Sequence, residues 1–232
     1  MEVCKTCHHI GEGKYCSFCG EIFQPARITI HSVLHEVLHT FTHADKGFLF
    51  TLKNLALHPG TMQRNYLAGE RKNVQKPFSL FFICASVTAI ILHFVNGAPS
   101  ENFSHYDVVK EHFYKSYYVI LQCLMLPAYA FITWIIFKNK KLNYAEALVL
   151  MIYTLSISLL IVIPINFTGL IPGFEGEQIV EVIFLGGYMV ITNLRFFFGQ
   201  NKWLIIFKSM VVLVLCYLFS NLMANAVINL ML

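Results

Sequence analysis

Residues 145–165 read AEALVLMIYTLSISLLIVIPI, with a single charged side chain, Glu146, near the start. A helix needs roughly 20 mostly apolar residues to cross a hydrocarbon core about 30 Å thick. This stretch therefore predicts a transmembrane helix. Working outward, four more segments have the same character: residues 78–95, 117–137, 179–194 and 203–225. The fourth span is expected to be short. The fifth runs on towards Leu232 and is long enough to tilt or to project beyond the bilayer. Pro127 is expected to kink the second span, and Gly186–Gly187 permit close helix approach in the fourth. The predicted fold class is an all-α integral membrane protein of about five transmembrane helices, preceded by a small N-terminal zinc ribbon. No internal repeat is visible, so an inverted-repeat transporter is not indicated.

Composition agrees. The chain has 232 residues, 56% hydrophobic and 13% charged, with mean hydropathy +0.60. Soluble domains are about 45–50% apolar and about 25% charged. The formal net charge of +4 is too small to argue for nucleic acid, and no nucleic-acid-binding motif accompanies it. The first twenty residues hold no apolar segment of signal-peptide type, so insertion is expected to rest on the internal helices.

Lys and Arg set the expected orientation. Nine of the 17 lie in residues 1–77, and the loops after the spans then hold two, three, none and two. High and low counts alternate, which predicts an N terminus in the cytoplasm, a C terminus outside, and residence in the plasma (inner) membrane. Lys208 is expected to snorkel from the cytoplasmic end of the fifth span. The organisation that follows is a ribbon over 1–24, cytoplasmic amphipathic helices and a linker over 25–77, and a membrane domain over 78–232.

Cys4, Cys7, Cys16 and Cys19 form C-x2-C-x8-C-x2-C. Each pair can turn two thiolates towards one ion, and two pairs supply the closed tetrahedral sulfur set that zinc accepts. So few residues bury no useful core, and metal binding would supply the folding energy. The alternatives are two disulfides, which need an oxidising compartment, and iron in a rubredoxin-like site. His8 and His9 are surplus to the set. Cys84, Cys123 and Cys216 fall in spans and are expected to pack as small apolar side chains.

Residues 27–43 show helical periodicity, with Ile30, Val33, Leu34, Val37, Leu38 and Phe41 on one face. His31, His35, His39 and His43 recur every four residues on the other. This is expected to be an amphipathic helix on the inner leaflet or against the membrane domain. His35-Glu36-Val37-Leu38-His39 also matches H-E-x-x-H, which in zinc proteases places two imidazoles beside a general base. A third ligand would have to come from His31, His43, Asp45 or His58, none of which sits in a recognisable downstream pattern. A short motif in a histidine-rich segment reads first as a solvated face, then as a pH-sensing or second metal site. Residues 47–57 read as a short apolar helix ended by Pro59–Gly60.

In the spans, Asn221, Asn225 and Asn229 repeat on one face. They read as a helix-association stripe or, alternatively, the lining of a water path. Glu181 lies near the outer end of the fourth span.

The order of features resembles a family of uncharacterised bacterial multi-span membrane proteins with an N-terminal four-cysteine ribbon, named for its unknown function. The residues that carry the likeness begin with Tyr15-Cys16-Ser17-Phe18-Cys19-Gly20 and Arg27-Ile28-Thr29. Asp45-Lys46-Gly47-Phe48-Leu49, Thr51-Leu52 and Pro59-Gly60 continue it. Tyr66-Leu67-Ala68-Gly69-Glu70-Arg71 and Lys76-Pro77-Phe78 complete it. The resemblance covers roughly the first 80 residues and implies a ribbon plus a membrane domain, but no reaction. It does not require histidine at positions 35 and 39. Arg71, Lys72 and Lys76 just before the first span also suit anionic lipid.

The expected function is a non-enzymatic membrane protein whose ribbon and amphipathic helix bind a protein partner or sense a state. The helical domain would sit in the lipid bilayer and anchor, gate or assemble, including as a homo-oligomer. Two alternatives stand beside it: a channel or transporter, and a membrane-associated metalloprotease using His35, Glu36 and His39.

Overall fold

The structure, a computed structural model, describes residues 2–33, 47–96, 106–138, 142–168 and 177–231. A two-stranded antiparallel sheet opens it, β1 (Glu2–Val3) against β2 (Ile10–Gly11). Two short helices follow, α1 (Phe48–Leu57) and α2 (Thr61–Ala68). Then come α3 (Pro77–Asn96), α4 (Tyr106–Ile136), α5 (Tyr144–Thr168), α6 (Glu177–Phe196) and α7 (Lys202–Met231). Five helices, α3 to α7, are long and apolar enough to cross a membrane.

The central helix is α5. Of its apolar span 78% is buried inside the protein, against 17% for α7. It packs on α3, α4 and α6, and α1 and α2 lean on it. The hydroxyls of Thr154, Ser156 and Ser158 do not disturb this burial, because each donates to a carbonyl one turn back. Thr154 Oγ1 donates to Leu150 O at 2.8 Å and Ser156 Oγ to Ile152 O at 2.7 Å. Between α6 and α7 a buried pair, Asn193 Nδ2 donating to Ser209 Oγ at 2.9 Å, locks the register. Gly186 serves the same seam, since a Cβ there would stand 3.4 Å from Leu213 Cδ1.

Three boundaries differ from the sequence reading. The fourth span is the shortest of the five, 18 residues over Ile179–Phe196, and it ends two residues later than read; its helix α6 has 20 residues because it continues through Glu177–Gln178. The second span is the end of a 31-residue helix beginning at Tyr106, where residues 96–116 read as a loop. The added part, YDVVKEHFYKS, is polar and escapes an apolar window. Pro127 lies inside this helix, and its carbonyl accepts the Tyr144 hydroxyl at 3.1 Å. Further up the chain, helix begins at Ile30 rather than Arg27. Thr29 and Ser32 cap it reciprocally, Ser32 N–H donating to Thr29 Oγ1 at 3.3 Å and Thr29 N–H to Ser32 Oγ at 3.0 Å.

α1 and α2 form a hairpin around Pro59–Gly60. Gly60 has φ 77° and lies so close to the last turn of α6 that a Cβ would collide with Thr192 O. Gln63 Oε1 accepts the Gly60 N–H at 2.8 Å, while its Nε2 donates to Thr154 Oγ1 at 3.2 Å. A second buried knot sits at the start of α3. The Gln75 N–H donates to Thr51 Oγ1 at 2.7 Å, and the Gln75 carbonyl accepts Tyr153 OH at 2.7 Å.

Candidate metal centre

The two cysteine pairs fold as near-repeats of one turn. In the first, Cys4 N–H donates to His9 O and His8 N–H returns to Cys4 O, both at 2.9 Å. In the second, Cys16 N–H donates to Glu21 O at 2.8 Å and Gly20 N–H to Cys16 O at 2.7 Å. His8 (φ 58°) and Gly20 (φ 76°) hold equivalent left-handed positions. Histidine tolerates that region better than most residues other than glycine. His8 thus has a backbone role that cysteine spacing did not reveal. His9 stacks on Phe18 with ring centroids 6.0 Å apart.

The turns bring the four sulfurs together. Sγ of Cys4 is 3.5 Å from that of Cys19, and Sγ of Cys7 is 3.6 Å from that of Cys16. All four lie within 4.8 Å of one another. A tetrahedral site with bonds of about 2.3 Å has sulfur–sulfur edges of roughly 3.8 Å, so the set fits a four-coordinate thiophilic ion. No disulfide joins any two of the seven cysteines in the structure.

The electrostatics point the same way. Amide hydrogen bonds, first from Cys7 and then from Thr6, lower the Cys4 thiol against the effect of burial. Burial pushes the Cys16 thiol up, but the amides of Cys19 and Phe18 outweigh it and hold it at about 6. The His9 amide favours the Cys7 thiolate, yet burial beside three other sulfurs raises that thiol to about 12. Cys19 is raised in the same way despite the Glu21 amide. Four thiolates in so small a space repel, and a central cation removes the conflict by deprotonating all of them. The only hydrophobic packing against the sulfurs among the described residues comes from Phe23, which is buried with Cys4 and Cys16.

The ribbon is fastened to the end of α2 and the stretch after it, and Arg27 reaches the start of α5. Lys5 Nζ donates to Ala68 O at 2.6 Å. Glu21 Oε2 accepts the Lys72 N–H at 2.7 Å. Arg71 Nη2 donates to Ala26 O at 3.0 Å, and Pro25 packs on Gly69, where a side chain would collide. Arg27 pairs bidentately with Glu146 at 2.7 and 2.9 Å, and this partner raises its guanidinium pKa further. Glu146 is also the N3 member of a capping box with Asn143 at the start of α5. These contacts define the ribbon end of the helical bundle.

Among the described residues, no other sequence candidate joins the four-cysteine cluster. His35, Glu36, His39, His43 and Asp45 lie outside the described residues. His31 and His58 are exposed. Glu181 accepts a hydrogen bond from Tyr118 OH at 3.0 Å, so it is engaged within the bundle. Asn221 donates to Tyr217 O of its own helix at 3.0 Å and does not bridge to a neighbour through that group. Asn225 Oδ1 is buried without a partner. Lys208 caps the end of α4 by donating to Ile136 O at 2.8 Å. Cys84 packs in the core as a small apolar side chain.

Fold and site together define a protein with five membrane-length apolar helices and, at one end, a four-cysteine cluster able to hold a metal ion. The family model described as "Protein of unknown function (DUF3667)" matches residues 45–89, which include α1, α2 and the first turns of α3. No curated protein matches the chain, and no solved structure does.

Proposed function

We propose that the chain is a non-enzymatic integral membrane protein whose zinc-loaded cytoplasmic ribbon organises the inner face of a five-span bundle and presents a docking surface to a protein partner. The observation that carries this reading is the closed four-sulfur set, with amide donors to every sulfur, bound to the bundle through Lys5, Glu21, Arg27 and Arg71. Four protein sulfurs fill a tetrahedral ion, so no coordination position is left for substrate, and the metal acts as a cross-link. Cys4, Cys7, Cys16 and Cys19 would hold it. Zinc is favoured over iron because the fold supplies thiolates and structural closure, and no redox partner is needed for either. The ribbon carries exposed apolar groups, with Phe18 78% exposed and the exposed Val3 and Ile10 paired across the sheet. Such a patch fits a protein partner. The orientation follows from the Lys/Arg alternation, which puts the ribbon in the cytoplasm.

The test is metal content per purified chain. One zinc per chain is expected, lost in Cys16→Ser and kept in His35→Ala. Partner capture from solubilised membranes is expected to fail for Cys16→Ser and for Phe18→Ser, the second with its zinc intact. A second zinc lost with His35→Ala would overturn the single-site reading and make the H-E-x-x-H segment a metal site.

A further inference from the structure

α1 is mostly apolar, and half of its residues are exposed. Its sequence is FLFTLKNLAL. Thr51 and Leu55 are fully buried against the bundle, and Phe48 and Leu52 pack beside them. At 100° per residue the exposed residues Leu49, Phe50, Lys53, Ala56 and Leu57 form one arc of about 120°. Leu49 is 75%, Phe50 53% and Leu57 56% exposed. An amphipathic helix on a water-facing surface shows a polar outer face. Here the outer face is as apolar as the inner, and its single charge, Lys53, stands at its centre.

The depth of the helix explains this. Tyr153 OH reaches the Gln75 carbonyl, and the Gln75 N–H reaches Thr51 of α1. Gln63 of α2 reaches Leu150 O at 3.5 Å and Thr154 Oγ1 at 3.2 Å. Leu150 and Thr154 lie six and ten residues into α5 from Tyr144, or roughly 9–15 Å at 1.5 Å per residue. Tyr188 OH donates to Leu55 O at 3.2 Å, and Tyr188 lies eight residues before Phe196 at the end of α6, or roughly 12 Å. The 25-residue α5 exceeds a 30 Å hydrocarbon core by only about 4 Å at each end if centred. Leu57 O accepts Arg195 Nη1 at 2.9 Å and Gly60 packs on the last turn of α6, so the hairpin lies at the ribbon-side end of the bundle, about where headgroups give way to acyl chains.

We infer that α1 is an interfacial helix whose Leu49–Phe50–Leu57 face contacts the acyl chains of the ribbon-side leaflet, with Lys53 extending its stem to the phosphate layer. Ten residues cannot span, and the Pro59–Gly60 turn, packed on the last turn of α6, stays on the side the chain came from. The surface continues the lipid-facing apolar side chains of the spans. This rests on the membrane reading above.

The test places a photo-crosslinking benzophenone residue singly at Phe50, at Leu218 of α7 and at Phe18 of the ribbon, with irradiation in native membranes and mass analysis of the adducts. Phospholipid adducts are expected at positions 50 and 218 and not at 18. Lipid at 218 with none at 50 would overturn the inference and leave the membrane reading standing. Protein adducts at 50 would likewise overturn it and assign the face to a partner or a second copy. Lipid at neither position would remove the membrane reading itself.

Discussion

Gly60→Ala tests the docking of the α1–α2 hairpin on α6. Two costs act on the added methyl. The first is conformational: Gly60 has φ 77° and ψ −45°, a sparsely populated region that costs an L-residue about 1–3 kcal/mol. The second is steric, because the new Cβ would overlap Thr192 O and stand 2.7 Å from Phe196 N and 3.0 Å from Arg195 Cβ. Two of these are backbone atoms of a packed helix and cannot rotate away. The hairpin or α6 must shift, at about 1–3 kcal/mol for overpacking of this kind. The sum is about 2–6 kcal/mol. Gly199→Ala is the control for a positive φ without the clash, since Gly199 has φ 84° with nothing within 4 Å of its Cβ position. It should lose about 1–2 kcal/mol. Equilibrium unfolding in mixed micelles, followed by tryptophan fluorescence, gives both values on one scale. If Gly60→Ala cost no more than Gly199→Ala to within about 0.5 kcal/mol, the close approach to α6 would be wrong.

Other consequences are simpler to check. Tyr153→Phe removes the hydroxyl that satisfies the buried Gln75 carbonyl, and should destabilise the bundle by about 1–3 kcal/mol in the same unfolding assay. His8→Gly relieves the left-handed backbone at no cost in ligands, so zinc should be retained to higher chelator concentration than in wild type. Zinc should leave as pH falls, because protons compete for all four sulfurs, and the release curve should end in complete loss rather than at half occupancy. Arg27→Gln should loosen the ribbon without changing its metal content, read as faster amide exchange in residues 26–33 with one zinc per chain still bound.

Much of the fold was readable because single physical rules govern it. The five spans follow from length and apolarity, and α5, the stretch that decides the class, is also the most buried of the five. The cysteine set follows from spacing, and α1 from an apolar run stopped by Pro59–Gly60. What escaped reading depends on contacts between residues far apart in the chain. Gln63 and Gln75 look like ordinary polar residues of a linker, yet both are fully buried: Gln63 is bonded to Gly60 and Thr154, and Gln75 is bonded through its backbone to Thr51 and Tyr153 and through Nε2 to Ser79, with its Oε1 unpaired. No periodicity marks such residues. The polar start of α4 was missed for the opposite reason, since a helix that leaves the apolar zone no longer shows the signal used to find it. His8 seemed surplus as a ligand, and only the repeat of the turn at Gly20 shows what its position does.

Glu21 joins the cysteine cluster to the lead-in to α3 most directly. Its amide donates to the Cys19 sulfur, while its carboxylate takes the Lys72 N–H and the Thr6 hydroxyl. From Lys72 the chain runs through Gln75, held by Thr51 and Tyr153, into Pro77 at the head of α3. One residue therefore lies between the sulfur set and the lead into the first apolar helix. Lys72, Asn73 and Lys76 of that lead-in are exposed, and it is held at two points, the Lys72 N–H and the buried Gln75 backbone. A ribbon on a long flexible tether would take no fixed place beside the helices. The short, hydrogen-bonded connection here holds the four-cysteine cluster against the entry to α3.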